Sequence, residues 1–154
     1  MANTLTRETE KGWHGSETRI KIMPRDFFPN DDFDRGGIEA TDVVIGQSFS
    51  INVSNAALEM YASIVIPQGY KATGIKIAGT DTANRVFAYE ACVVGCVVIG
   101  LIDSGIGDPA RYVGTEYDFD TEMTAGVTNY LLVKVLPTSA VDLIYGGYIN
   151  IERV

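Results

Sequence analysis

Nucleophilic catalysis needs an activated Ser, Cys or Thr with a base in hydrogen-bond reach. The chain offers one imidazole, His14, in a polar N-terminal stretch. No G-x-S-x-G elbow is present, since Asp103-Ser104-Gly105 lacks the first glycine at the required place. The two cysteines lie in CVVGC as Cys92 and Cys96. Along a straight strand that spacing spans about 13 Å at ~3.3 Å per residue. A disulfide needs Cα atoms within about 7 Å, so the expectation is a pair of reduced, buried thiols. The spacing is not C-x-x-C and no second pair exists, which excludes a zinc ribbon.

Carboxylates are the other chemistry to weigh. Asp118, Asp120 and Glu122 alternate in YDFDTE and face one way on a strand. Such a row could hold a cation or do acid–base work. Its simpler reading is a solvated strand face beside a turn. Asn30-Asp31-Asp32-Phe33-Asp34 has the oxygen-rich look of a calcium loop, but the EF-hand spacing is absent and an Asx-rich turn explains it. A single Arg35-Gly36-Gly37 in an acidic chain is a turn. Gly105-Ile106-Gly107-Asp108-Pro109 lacks the GK[ST] ending of a phosphate loop. We therefore expect no catalytic set, no metal and no cofactor.

Aromatics are the better candidates for contact. Trp13, Phe27, Phe28 and Phe33 fall in the N-terminal stretch and first loop, outside the alternating segments. Exposed aromatics among polar residues anchor protein–protein interfaces. The competing reading folds this segment back over its own core. Eight tyrosines, Tyr61 and Tyr89 among them, are spread over most predicted strands. Core edges and sugar-binding faces both look like that.

The elements that must position these residues are strands. Of 154 residues, Val and Ile supply 30 and Thr 13, against 7 Leu and 2 Gln. Branched side chains fit a pleated surface and lose rotamer freedom in a helix. Sixteen glycines point to turns and bulges. The net charge of −8 argues against nucleic acid or anionic membrane as partner. The most apolar stretch, Ala91–Ile102, is short of the roughly 18–20 residues of a membrane helix. The opening residues hold no apolar run of the kind an export signal needs, so synthesis in a cytosol is expected.

Residues 1–16 read as an extended arm. Residues 17–154 read as one domain of short strands separated by turn signals. Glu17–Met23 alternates, with Thr18, Ile20 and Ile22 on one face. Thr41–Ile45 and Ser48–Val53 read as strands across a Gly46 turn. Glu59–Ile66 and Tyr70–Ala78 read as a pair joined by Pro67-Gln68-Gly69, with a bulge at Gly74 and Thr73, Ile75 and Ile77 on one face. Arg85–Glu90 alternates, and Ala91–Ile102 reads as a doubly covered central strand that its glycines could split. Thr115–Asp120, Thr128–Leu136 and Leu143–Ile151 complete the set, the last with a bulge at Gly146-Gly147. Ser54–Tyr61 is the sole helical candidate. The expectation is an all-β, two-sheet antiparallel sandwich, jelly-roll-like, of about eight or nine strands.

The stretch IPQGYKATGIKIAGTDTANRVFAYE, continued by NYLLVKVLPTSAVDLIYGGYINIERV, resembles small all-β structural proteins of tailed-phage virions, cyanophage ones in particular. The resemblance spans about residues 17–154 and rests on style rather than on a diagnostic motif. It implies a capsid cement or decoration protein at the virion surface, made in the host cytoplasm. It also implies binding to the major capsid protein and to its own copies, a trimer being favoured. The alternative is a tail- or fibre-associated or carbohydrate-binding sandwich, using exposed Tyr and Trp and a cation held by Asp118, Asp120 and Glu122. A small sandwich enzyme with a carboxylate pair is a third and weaker reading.

Overall fold

Branched and aromatic residues alternating with polar ones make strands with one dry and one wet face, and two such sheets bury their dry faces together. The computed structural model describes residues 18–29, 37–41, 50–54, 58–95, 98–102 and 111–154. The described strands are β1 (Arg19–Ile22), β2 (Phe27–Pro29), β3 (Ile38–Thr41), β4 (Ser50–Val53), β5 (Met60–Ile64) and β6 (Tyr70–Gly79). They continue as β7 (Arg85–Cys92), β8 (Ile99–Ile102), β9 (Glu116–Thr124), β10 (Asn129–Leu136) and β11 (Ile144–Arg153). The one helical turn among the described residues is Pro24–Asp26. The six-stranded sheet runs β3-β4-β11-β6-β9, with β1 also paired to β11, and the five-stranded sheet runs β2-β5-β10-β7-β8. The pairings are antiparallel, and the chain passes repeatedly from one sheet to the other. This is the expected two-sheet sandwich.

Alternation places the core. Ile20 and Ile22 from β1, Ile75 and Ile77 from β6, Leu131, Val133 and Val135 from β10, and Ile149 and Ile151 from β11 are all buried. At about 1.5–3 kcal/mol for each fully buried aliphatic side chain, this inner layer is the main source of stability.

Several expectations change in three dimensions. Glu59–Ile66 and Tyr70–Ala78 do not pair: β5 pairs with β10 and β2, while β6 pairs with β11 and β9. The Pro67-Gln68-Gly69 turn carries the chain across the sandwich, with Gly69 at φ 82°, a conformation strained for any side chain. The predicted bulge at Gly74 is present, as a register shift on both edges of β6. It changes the strand's phase, so Ala72 rather than Thr73 joins Ile75 and Ile77 inside. The bulge before Gly146 is present as well.

Ala91–Ile102 is not a central strand. It splits into the end of β7 and the sheet-edge strand β8. The thiol expectation falls with it, because Cys92 is disulfide-bonded. The chain bends over Val93–Gly95 instead of running straight, which removes the premise of the 13 Å separation. The chain's other cysteine, Cys96, lies outside the described residues, as do residues 42–49, most of the helical candidate Ser54–Tyr61's start (55–57), and the arm.

Candidate functional site

A sandwich has two outward faces, and here they differ in chemistry. On the six-stranded sheet the outward side chains are mostly charged: Arg19, Lys71, Lys76, Glu116, Asp118, Asp120, Glu122 and Glu152. They satisfy one another. Tyr148 donates its hydroxyl to Glu116 Oε2 at 2.7 Å, and Asn150 Nδ2 donates to Glu116 Oε1 at 2.6 Å. The Arg19 guanidinium lies 4.1 Å from the centre of the Tyr148 ring. Those two hydrogen bonds, Tyr148's first, hold the Glu116 carboxyl below its ordinary range, and the bond to Glu116 raises the Tyr148 phenol. Lys71 Nζ sits 2.5 Å from Glu122 and 3.6 Å from Glu152, and its ammonium is raised chiefly by the bond to Glu122.

The acidic trio belongs to this face. Asp118, Asp120 and Glu122 are exposed; Asp120 pairs with Arg111 at 3.3 Å and Glu122 with Lys71. Each of those two partners is a cation already in place, so the row reads as a solvated, cross-linked strand face. Among the described residues, no group of three His, Cys, Asp or Glu could hold a metal ion.

The outward face of the five-stranded sheet is aromatic instead. Register brings one row across four strands: Phe28 opposite Tyr61, Tyr61 opposite Lys134, Lys134 opposite Phe87. At ~4.8 Å between strands the row is roughly 14 Å long. The next row holds Ser63, Leu132 and Tyr89, and Tyr130 follows on β10. Phe28 and Tyr61 stack with ring centres 6.1 Å apart; Phe87 and Tyr89 lie nearly parallel at 6.4 Å. Lys134 Nζ lies 4.2 Å from the Phe87 ring centre. A single carboxylate fixes the row: Glu59 accepts from Tyr61 Oη at 3.0 Å and from Lys134 Nζ at 3.3 Å. The result is a shelf made of a stacked Phe28–Tyr61 pair and a half-buried Tyr89 with a neutralised charge pair between them, while Phe87 itself is buried beside Lys134. Phe28, 46% exposed, is the open end of the shelf.

The shelf runs toward a cleft of about 550 Å³ at one end of the sandwich, lined by Val65, Pro67, Val93, Val127 and Tyr130 among others. The opposite end is built differently. There the buried Asn84 accepts at Oδ1 from the Thr138 amide at 2.8 Å and its hydroxyl at 3.2 Å, and Asp142 accepts from the Ser139 amide at 3.0 Å.

Of the four aromatics singled out from sequence, Phe27 and Phe28 form β2 rather than a loop. Phe27 is buried in the core and is thereby unavailable to a partner, while its neighbour Phe28 points outward. Trp13 and Phe33 lie outside the described residues, as does His14. Sequence reasoning missed Tyr61, Lys134, Phe87 and Tyr89 as a group. It also placed exposed tyrosines together with Asp118, Asp120 and Glu122, whereas Tyr61 and Tyr89 stand on the face opposite to that acidic trio.

No protein-family model matches the chain, and no curated protein matches it. Among solved structures it is similar to the C-terminal CBM6 of LamC, a marine laminarinase from Zobellia galactanivorans. The two share 15% identity with a TM-score of 0.45, over 86% of this chain and 98% of that one.

Proposed function

We propose that the protein is a non-catalytic binding module whose outer five-stranded face takes a carbohydrate chain. The observation that carries this is the row Phe28–Tyr61–Lys134, continued by Tyr89 and set against a charge-covered opposite face. A pyranose presents an apolar C–H face and an equatorial belt of hydroxyls. Rings such as Phe28 and Tyr61 match the first; Lys134, Glu59 and Ser63 supply donors and acceptors for the second. A rigid sheet holds these groups without ordering cost on binding. Gel retardation of the full chain in a panel of soluble polysaccharides tests the reading. Slowed migration in at least one, relieved by its free oligosaccharide, is expected; unchanged migration in all of them sinks it.

A second reading rests on a different observation, the uncharged cleft end of the sandwich. In the virion role that the sequence resemblance implies, such a surface would seat against the major capsid protein as cement or decoration. Purified particles carrying the protein at a fixed copy number support that role, and particles lacking it refute it.

A further inference from the structure

The outward residues of three neighbouring strands lead from the aromatic shelf into the cleft. On β5 they run from Tyr61 through Ser63 to Val65, and on β10 from Lys134 through Leu132 to Tyr130. On β7 they run from Tyr89 through Ala91 to Val93. The Val93 amide donates to the Thr128 carbonyl at 2.9 Å, which carries the β7–β10 ladder past the end of β7. Four residues at ~3.3 Å each put Val65 about 13 Å along the strand from Tyr61. Ser63 and Tyr130 belong to both surfaces, so face and cleft are one continuous path.

The two ends of that path differ in chemistry. The cleft is walled by Val65, Ile66, Pro67, Val93 and Val127, and Val127 is 95% exposed. No charged side chain is among its described lining residues. Glu90 accepts from Asn129 at 2.8 Å but stands opposite the core residue Leu131, on the inward side of the sheet. The amides of the cleft are spent on the fold. Gln68 Nε2 donates to the Gly126 carbonyl at 2.8 Å, and Asn129 accepts from the Gly126 amide at 2.6 Å and donates to the Thr124 carbonyl at 3.0 Å. What is left for a ligand is the hydroxyls of Ser63, Thr128 and Tyr130, which have no partner among the described residues.

Such a wall discriminates among sugars. A hydroxymethyl group held against the valines loses its water and finds no replacement, whereas a methyl group there only gains. A carboxylate or sulfate would meet no cation, in a chain of net charge −8. We infer that the cleft is the specificity subsite of the carbohydrate face and takes a neutral sugar bearing a methyl group, as a 6-deoxyhexose or an O-acetyl ester. The inference rests on the carbohydrate reading for its ligand class and adds which sugar is chosen.

NMR titration of the full chain, with valine methyl groups as reporters, tests it on matched monosaccharides. L-fucose is set against L-galactose and L-rhamnose against L-mannose, each pair differing by one oxygen at C6. 6-O-acetyl-D-galactose against D-galactose distinguishes the ester as the source. The methyl-bearing member of at least one pair is expected to shift the Val93 and Val127 signals and to bind at least tenfold more tightly, the scale on which one apolar group counts in a hydrophobic pocket. Val93→Thr combined with Val127→Thr, isosteric changes at exposed positions, should bring that ratio below threefold with circular dichroism unchanged. Tyr61→Ala should leave it as in wild type. Pairs that all bind alike, or do not bind, overturn the inference, as does a preference that survives both threonines. If polysaccharides slow migration in the gel while the pairs bind alike, the face stands and the subsite falls. If the pairs are discriminated while no polysaccharide slows migration, the subsite stands and the shelf falls.

Discussion

Removing the Tyr61 ring strikes the middle of the aromatic row. That ring stacks on Phe28 at 6.1 Å, and its hydroxyl anchors Glu59, which in turn holds Lys134. A sugar ring seated on Tyr61 would gain about 0.5–1.5 kcal/mol from ring geometry beyond simple burial. Covering roughly 60 Å² of the ring adds about 1.5 kcal/mol at ~25 cal/mol per Å². Tyr61→Ala should therefore cost about 2–3 kcal/mol of binding, or roughly 30- to 150-fold in Kd. Tyr61→Phe keeps the ring and loses only the hydrogen bond to Glu59, so the loss should stay within about fivefold. Phe28→Ala should fall between the two, because Phe28 is the open end of the shelf. Isothermal titration with an oligosaccharide that relieves gel retardation measures all three. Tyr148→Phe, on the charged face, serves as the reference and should bind as wild type. If Tyr61→Ala and Phe28→Ala are folded and bind within twofold of wild type, the shelf is not the site.

Stability offers further checks. A Cβ at Gly147 would collide with the Lys76 carbonyl oxygen and crowd Ile77, both in the facing strand β6. Gly147→Ala should lower stability by about 3 kcal/mol in urea unfolding, while Gly37→Ala, with open space around it, should be near neutral. Asn84→Ala removes two acceptor contacts to Thr138 and also a buried Nδ2 with no partner, so the net cost should be about 1–2 kcal/mol. A double-mutant cycle with Thr138→Val should show coupling; strict additivity would refute the link. Glu116 has its carboxyl lowered from 4.5, so its contribution is present above that value and fades as pH falls through the lowered one. Tyr148 is raised from 10.0, so its contribution is present below that value and fades as pH climbs through the raised one. Glu116→Gln should flatten the acid limb of the unfolding midpoint against pH, and an unchanged limb would contradict this.

Local chemistry settled the class of fold. Alternation in RIKI and in NYLLVKVL assigns inward and outward residues correctly, because the period of a strand is two wherever one face is buried. Glycine at positions 74 and 146 announced bulges for the same local reason. Pairing was not legible. Whether Pro67-Gln68-Gly69 closes a hairpin or crosses the sandwich depends on partners such as Leu131–Val135, far along the chain from Met60–Ile64. The bend after Cys92 depends likewise on the β7–β8 pairing. The aromatic shelf belongs wholly to this second kind of information. Residues 28, 61, 87 and 134 share no sequence window and become neighbours through strand register alone. Side-chain types and their spacing are written along the chain, but which outward residues stand side by side is fixed by hydrogen-bonded pairing between distant segments.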